Sequence, residues 1–223
     1  MPRLWLTRTQ PFADESAARL RSMGYEVCVA PLLETLERPL PSRLPTPEAL
    51  LIFTSRKAVM VFSKLISGRD CECLCVGDAT ADAARTAGFK QVHSAQGSAY
   101  NVTTWIENNI SVERPLYHAS SAYPRGEIIE RLQKAGFQKA HREIFYETKM
   151  ITRDPRNERR ADDIILLYSP MAAVALVSLD VDLQEMEIIS MSSAINAALG
   201  TALCKARRIA DKPTENSLFT HLP

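Results

Sequence analysis

The sequence contains neither GxGxxG nor GxxxxGK followed by Ser or Thr, and it has only eight glycines in 223 residues. A nucleotide-dependent α/β enzyme that cradles phosphate on a glycine-rich loop is therefore disfavoured. GxSxG is missing as well, and the four histidines stand at unrelated places, so a nucleophilic hydrolase has little support. No uninterrupted apolar run approaches the length of a membrane span. The start, MPRLWLTR, shows no charged-then-apolar leader and reads as mature sequence. Neither sign of charge is in excess: 27 basic against 26 acidic residues leave a formal net charge of +1. That balance argues against a broad nucleic-acid footprint, which needs a basic face or stripe, and an anionic ligand has to be held by local devices. Cysteine is sparse, five in all, with no CxxC pair and no export signal, so a reducing cytoplasm without disulfides is expected. Cys71, Cys73 and Cys75 alternate along DCECLCVG; one strand face cannot wrap a tetrahedral ion, and they read as small buried hydrophobes.

What is present is a regular alternation. Apolar runs of strand length, RLWLTR (3–8), YEVCVAPLL (25–33), ALLIFTS (49–55), CECLCVG (71–77), KQVHS, LYHASS (116–121), FQKAHREIFYETK, ADDIILLYS (161–169), EMEIISM (185–191) and ARRIA, are separated mostly by segments of helical periodicity. The pattern predicts parallel sheets with helical crossovers. The helix after RLWLTR opens at Thr9 or Gln10 with Pro11 in its first turn and closes at Gly24. ERPLPSRLPTPE (37–48), with four prolines, reads as a crossing between lobes, as does the polar TRDPRNERRAD.

Much of the chain occurs twice. RLWLTR answers PLYHAS, Leu20…Gly24 answers Leu132…Gly136, LIFTS answers LLYS, and CVGDATADAA answers ISMSSAINAA. The order is A, B, A′, B′, a duplicated supersecondary unit. Pairing A with B and A′ with B′ is one assembly. The two crossings favour the other, in which residues 1–35 plus 150–223 form a discontinuous α/β domain around an inserted α/β domain, 36–149. The stretches LIFTSRKAV (51–59) and ILLYSPMAAV (165–174) are the same strand-to-helix corner built twice. Such corners offer unpaired N–H groups and the positive end of a helix dipole, a ready site for carboxylates, and a ligand is expected between the two sets.

Taken in order, LWLTR, PLLE, LIFTSRKAV, VGDATADAA, the Gly-terminated repeat helices, FYET, YSP and the late PTE resemble the uroporphyrinogen-III synthase family over essentially the whole chain. The resemblance implies two similar α/β lobes, each a parallel sheet flanked by helices, joined by a two-stranded ladder. It implies a cofactor- and metal-independent enzyme that cyclises the linear tetrapyrrole hydroxymethylbilane to uroporphyrinogen III. Water is lost and ring D is inverted, through an azafulvene cation and a spiro intermediate, in porphyrin and haem biosynthesis. A cytoplasmic monomer follows, acting on a small polyacidic molecule, with transient contact to the preceding pathway enzyme and no nucleic-acid or membrane partner. Tyr146 in FYET matches the family tyrosine proposed as proton donor, and Thr80 in VGDATA its other well-known polar position. These two are the catalytic candidates. The substrate-binding candidates are Thr7, Arg8, Thr54, Ser55, Arg56, Gly77, Ser120, Ser121, Ser169, Ser192 and Ser193, with Lys57 and Arg125 as further basic candidates. Each hydroxyl among them also suits a helix cap. Tyr168 reads as a buried strand residue. In the second copy of VGDATA the family's Gly and Thr are replaced by Met191 and Ala194, where Ser192 and Ser193 supply hydroxyls nearby. The same corners would suit a non-catalytic two-lobed binding or sensor protein for a small anion, and that alternative stays open here.

Overall fold

The computed structural model describes residues 2–124, 126–158 and 160–223; Arg125 lies outside them. The chain folds as two compact units, Met1–Thr35 with Lys149–Pro223, and Leu36–Thr148.

The first unit takes β1 (Leu4–Leu6), α1 (Phe12–Ser22) and β2 (Val27–Val29) from the start of the chain. The rest comes from its end: β9 (Ile164–Leu167), α6 (Pro170–Ser178), β10 (Glu187–Ser190), α7 (Ser193–Ala197), β11 (Ala206–Ile209) and α8 (Glu215–Phe219). Its sheet runs β11-β10-β9-β1-β2, all parallel. The second unit holds β4 (Leu50–Phe53), α2 (Arg56–Leu65), β5 (Glu72–Cys75), α3 (Asp78–Thr86), β6 (Val92–Ser94), α4 (Ala99–Asn109), β7 (Leu116–Ser121) and α5 (Ile128–Lys134). Strands β3 (Leu33–Glu37) and β8 (Ala140–Met150) lie side by side and carry the chain across the boundary in both directions. The second sheet runs β3-β8-β7-β4-β5-β6, with β4 to β8 parallel.

The duplicated segments occupy matching places. β6-β5-β4-β7-β8 in one sheet corresponds to β11-β10-β9-β1-β2 in the other, so the copies of A and of B each sit at equivalent strands. Central strands of a parallel sheet are covered on both faces, which is why β4 (LLIF) and β9 (IILL) are apolar and buried throughout. Leu51, Phe53, Cys73, Cys75 and Phe145 pack on α2 and α3, while Leu50, Ile52, Leu74 and Leu116 pack on α4 and α5. Cys73 and Cys75 are buried and Cys71 half-buried. Burial pushes the Cys75 thiol up to about 12 and that of Cys73 higher still, so both behave as hydrophobes. Gly24 and Gly136, the matched closers of α1 and α5, both adopt positive φ, +90° and +99°, which a side chain would strain.

Two elements differ from the sequence expectation. YEVCVAPLL is not one strand: β2 stops at Val29 and β3 begins at Leu33. Pro31 between them has no N–H for a ladder bond, and the chain leaves the sheet there. In SSAINAALGTALC only Ser193–Ala197 is helical, and Gly200 at φ +56° closes the turn that follows.

The loop between β7 and α5 comes close to α4. A Cβ on Gly126 (φ +81°) would stand 2.7 Å from that of Ala99, so glycine alone lets this loop form one wall of the site described next.

Candidate active site

In the second sheet β4, β5 and β6 proceed in one direction, and β7 and β8 in the other. The order reverses between β4 and β7. In open parallel sheets the crevice at the carboxyl ends of the strands flanking such a reversal is where ligands bind. A cavity of about 630 Å³ lies there, lined among others by Thr54, Ser55, Val76, Ser98, Ser121 and Tyr146. Thr54 and Ser55 follow β4, Val76 follows β5, Ser121 ends β7, and Tyr146 is carried by β8.

Ser55 does two things. Its extended backbone (φ −160°, ψ 153°) places it at the N-cap of α2, where Oγ accepts the Ala58 N–H at 3.0 Å. The same Oγ lies 3.0 Å from the Tyr146 hydroxyl. Ser121 is the cross-strand partner of Tyr146, and its hydroxyl favours the ionised phenol as Ser55 does. Burial pushes the Tyr146 pKa above its ordinary value, against the opposing effect of Ser55 and Ser121. The phenol is therefore protonated at neutral pH, a donor held in place at the cavity wall. Lys57, on the first turn of α2, holds its ammonium 5.9 Å above the Tyr146 ring, and burial lowers its pKa to about 8. Removing the Ser55 hydroxyl should cost twice over. Ser55→Ala is expected to lose about 1 kcal/mol of stability, read as a lower denaturation midpoint, and to lower turnover by freeing the Tyr146 hydroxyl.

The other candidates fall into three groups. Arg56 opens α2 beside the cavity, and Gly77 caps α3 next to Val76. The Gly77 backbone is extended (φ −163°) and a Cβ there would meet open space, so neither demands glycine. Thr80 and Ser120 are buried. Thr80 sits in the first turn of α3, is not among the residues lining the cavity, and its N–H bonds Gly77 O. Ser120 donates to Ser121 O at 2.9 Å.

Thr7, Arg8, Ser169, Ser192 and Ser193 belong to the equivalent corner of the first unit. Thr7 is buried and donates to Leu166 O at 2.6 Å. Arg8 is engaged within its own unit. It donates to Glu215 Oε1 at 2.7 Å and to Ser16 Oγ at 2.9 Å, and its guanidinium lies over the Tyr168 ring at 5.1 Å. Burial raises the Tyr168 pKa, which fits a packed strand tyrosine. Ser169 and Ser192 cap α6 and α7 through the Ala172 and Ile195 N–H groups, and Ser193 is the exposed first residue of α7.

Several residues of the cavity wall, among them Val76, Ser98 and Tyr123, and His118 behind it are not candidates in the sequence reading. Ser98 closes a capping box with Asn101 at the head of α4; the SAYN pattern carried that signal. His118, buried beneath Thr54, carried none beyond being a lone histidine in an apolar strand. Among the described residues no group of three or more His, Cys, Asp or Glu is placed to hold a metal ion.

Two doubly wound units, with a hydroxyl-lined cavity at the carboxyl edge of one and no glycine-rich nucleotide loop, define a two-unit α/β protein with a crevice at its strand ends. The sequence matches the family model described as Uroporphyrinogen-III synthase HemD over residues 14–220, and the chain belongs to the uroporphyrinogen-III synthase family. The fold is that of a uroporphyrinogen-III synthetase from Helicobacter pylori, with a TM-score of 0.69 at 17% identity over 99% of this chain and 97% of that one. A mutant uroporphyrinogen III synthase from Thermus thermophilus aligns over 99% of this chain and 96% of its own at 10% identity, with a TM-score of 0.48. No curated protein matches the sequence. Among the described residues no helix is long and apolar enough to cross a membrane.

Proposed function

We propose that the protein is a uroporphyrinogen-III synthase whose second-unit cavity receives the hydroxymethyl end of hydroxymethylbilane. The observation that carries this reading is the Tyr146 phenol, protonated, hydrogen-bonded to the Ser55 cap and facing a cavity at the strand reversal. Departure of the hydroxyl needs a proton, and the Tyr146 OH supplies it, so that water leaves and an azafulvene cation remains. The resulting phenolate is stabilised by the hydroxyls of Ser55 and Ser121 and by the Lys57 ammonium above the ring. Attack by the substituted carbon of ring D then gives the spiro intermediate, whose rearrangement inverts that ring before closure. Ring closure is easy once the cation exists. The larger task is to bend the chain so that this carbon arrives first, and orientation of this kind is worth up to about 7–11 kcal/mol.

Carboxylate arms of the substrate meet Thr54, Ser55 and Ser121 and the N–H groups at the heads of α2 and α4. Arg56 and Lys57 provide local positive charge that a net charge of +1 does not supply by itself. Thr80 supports the α3 corner from within and is not assigned a contact with the reacting atoms. The enzyme acts as a cytoplasmic monomer and receives its short-lived substrate through transient contact with the preceding pathway enzyme.

The Lys57 charge sets a pH dependence. Its ammonium is present below about 8 and lost above, so attraction of carboxylates weakens as pH rises through that value. KM for hydroxymethylbilane is expected to rise about threefold between pH 7 and 9, and Lys57→Met to abolish the rise. A KM that stays flat in the wild type would remove Lys57 from binding. The whole reading is tested by supplying freshly made hydroxymethylbilane and separating the type I and type III products.

A further inference from the structure

His118 in β7 is 1% exposed and packs in the apolar interior of the second unit, opposite Ile52 of β4 and Arg142 of β8 in register. Its Nε2 lies 3.4 Å from Thr54 Oγ1, while Nδ1 has no hydrogen-bond partner among the described residues. Desolvation, aided by Arg142, lowers its pKa to about 4, so the ring is neutral at physiological pH. A buried polar atom left unpaired costs stability that an apolar side chain of the same size would not. Half-satisfied polar groups of this kind are kept where they act on a site, and Thr54 lines the cavity.

We propose that His118 is a positioning residue for substrate binding: its neutral imidazole donates from Nε2–H to Thr54 Oγ1 and so reserves the Thr54 hydroxyl proton for an anionic oxygen in the cavity. The inference rests on the cavity being the substrate site. A hydroxyl has one proton and accepts with its lone pairs. If Nε2 accepted instead, the Thr54 proton would be spent inward and only lone pairs would face the carboxylates. That tautomer would also leave Nδ1–H as an orphaned buried donor, a rarer arrangement in proteins than an unpaired acceptor. The tautomer that satisfies the fold better is thus the one that makes Thr54 a donor toward the ligand.

The test pairs stability with kinetics. His118→Leu is expected to leave Tm unchanged or raise it, since an unpaired polar atom is removed. It is also expected to raise KM for hydroxymethylbilane about tenfold with kcat close to wild type. His118→Gln, whose amide nitrogen takes the place of Nε2, should recover most of that KM. Thr54→Val should reproduce the rise, with no further increase in the Thr54→Val/His118→Leu pair. A wild-type KM in His118→Leu overturns the proposal, as does a lower Tm with no rescue by Gln. The tautomer is read independently by 15N NMR of the wild-type protein: protonated Nε2 supports the assignment and protonated Nδ1 overturns it. If Tyr146→Phe and Ser55→Ala also leave KM and kcat at wild-type values, the cavity itself is the wrong site. If they change and His118→Leu does not, only the role of His118 is lost.

Discussion

Asp163→Ala is expected to remove about 3–5 kcal/mol of stability, roughly 10 °C in the melting temperature of a chain this size. Asp163 is fully buried at the amino end of β9. Its two oxygens accept from Arg3 Nε at 2.8 Å, Arg3 Nη2 at 2.9 Å and Arg156 Nη1 at 2.7 Å. Arg156 is held in turn by Asp154 at 2.8 Å and lies over the Trp5 ring at 4.2 Å. Exposed ion pairs contribute little, but here both arginines are themselves buried. Removing the shared carboxylate leaves buried Arg156 with Asp154 alone and buried Arg3 with only Glu158, whose side chain is exposed, and the penalty for those under-compensated charges exceeds what the pairs contribute when intact. The cluster ties the chain after β8 to the amino ends of β1 and β9, so its loss should unfold the first unit without altering the residues of the cavity. Thermal melts of wild type and variant check the number, and kcat and KM measured well below the variant's melting temperature should match wild type. A loss under 1 kcal/mol would mean that water reaches the cluster and pairs its charges.

The second large effect is chemical. Tyr146→Phe should lower kcat about 10²-fold, the lower end of what a positioned proton donor contributes, while the product stays type III. Ring and cavity shape survive the change, and Ser55 still caps α2 through Ala58 N–H, so stability should fall by about 1 kcal/mol at most. The phenol is pushed above its ordinary pKa by burial, so in the wild type this donor is not lost at any pH up to about 10. Turnover should therefore show no alkaline limb from Tyr146 across the neutral range. Wild-type turnover in the Phe variant would take Tyr146 out of the mechanism; a switch to type I product would make it a folding template for the substrate and not a proton donor.

The parts of this structure that were readable in advance share one property: they are local. Ser55 and Ser169 stand between a run of four apolar residues and a helical pattern, and both turn out to be N-caps because the hydroxyl can bond a backbone N–H three residues on. The alternation and the duplicated A and B segments carried the parallel sheets and the equivalence of their strand orders. Pro31 was also legible, yet the apolar residues on either side of it outweighed it in the reading of one strand. What was not readable depends on partners far away in the chain. Arg8 looked like a free cation for a carboxylate ligand, but Glu215, 207 positions later, reaches it first. Ser120 and Ser121 are adjacent and chemically identical; only the pleat of β7 turns one inward and the other to the cavity. Family resemblance alone points to Tyr146; its pairing with Ser55, 91 positions away, is made by the sheet.

The most direct trial of the account is a single product analysis. Purified protein is mixed with freshly prepared hydroxymethylbilane, and the cyclised products are oxidised and separated by isomer. Formation of the type III isomer faster than spontaneous closure is the predicted result. Type I product alone, at the spontaneous rate, would contradict the account and leave a two-unit protein that binds an anion without transforming it.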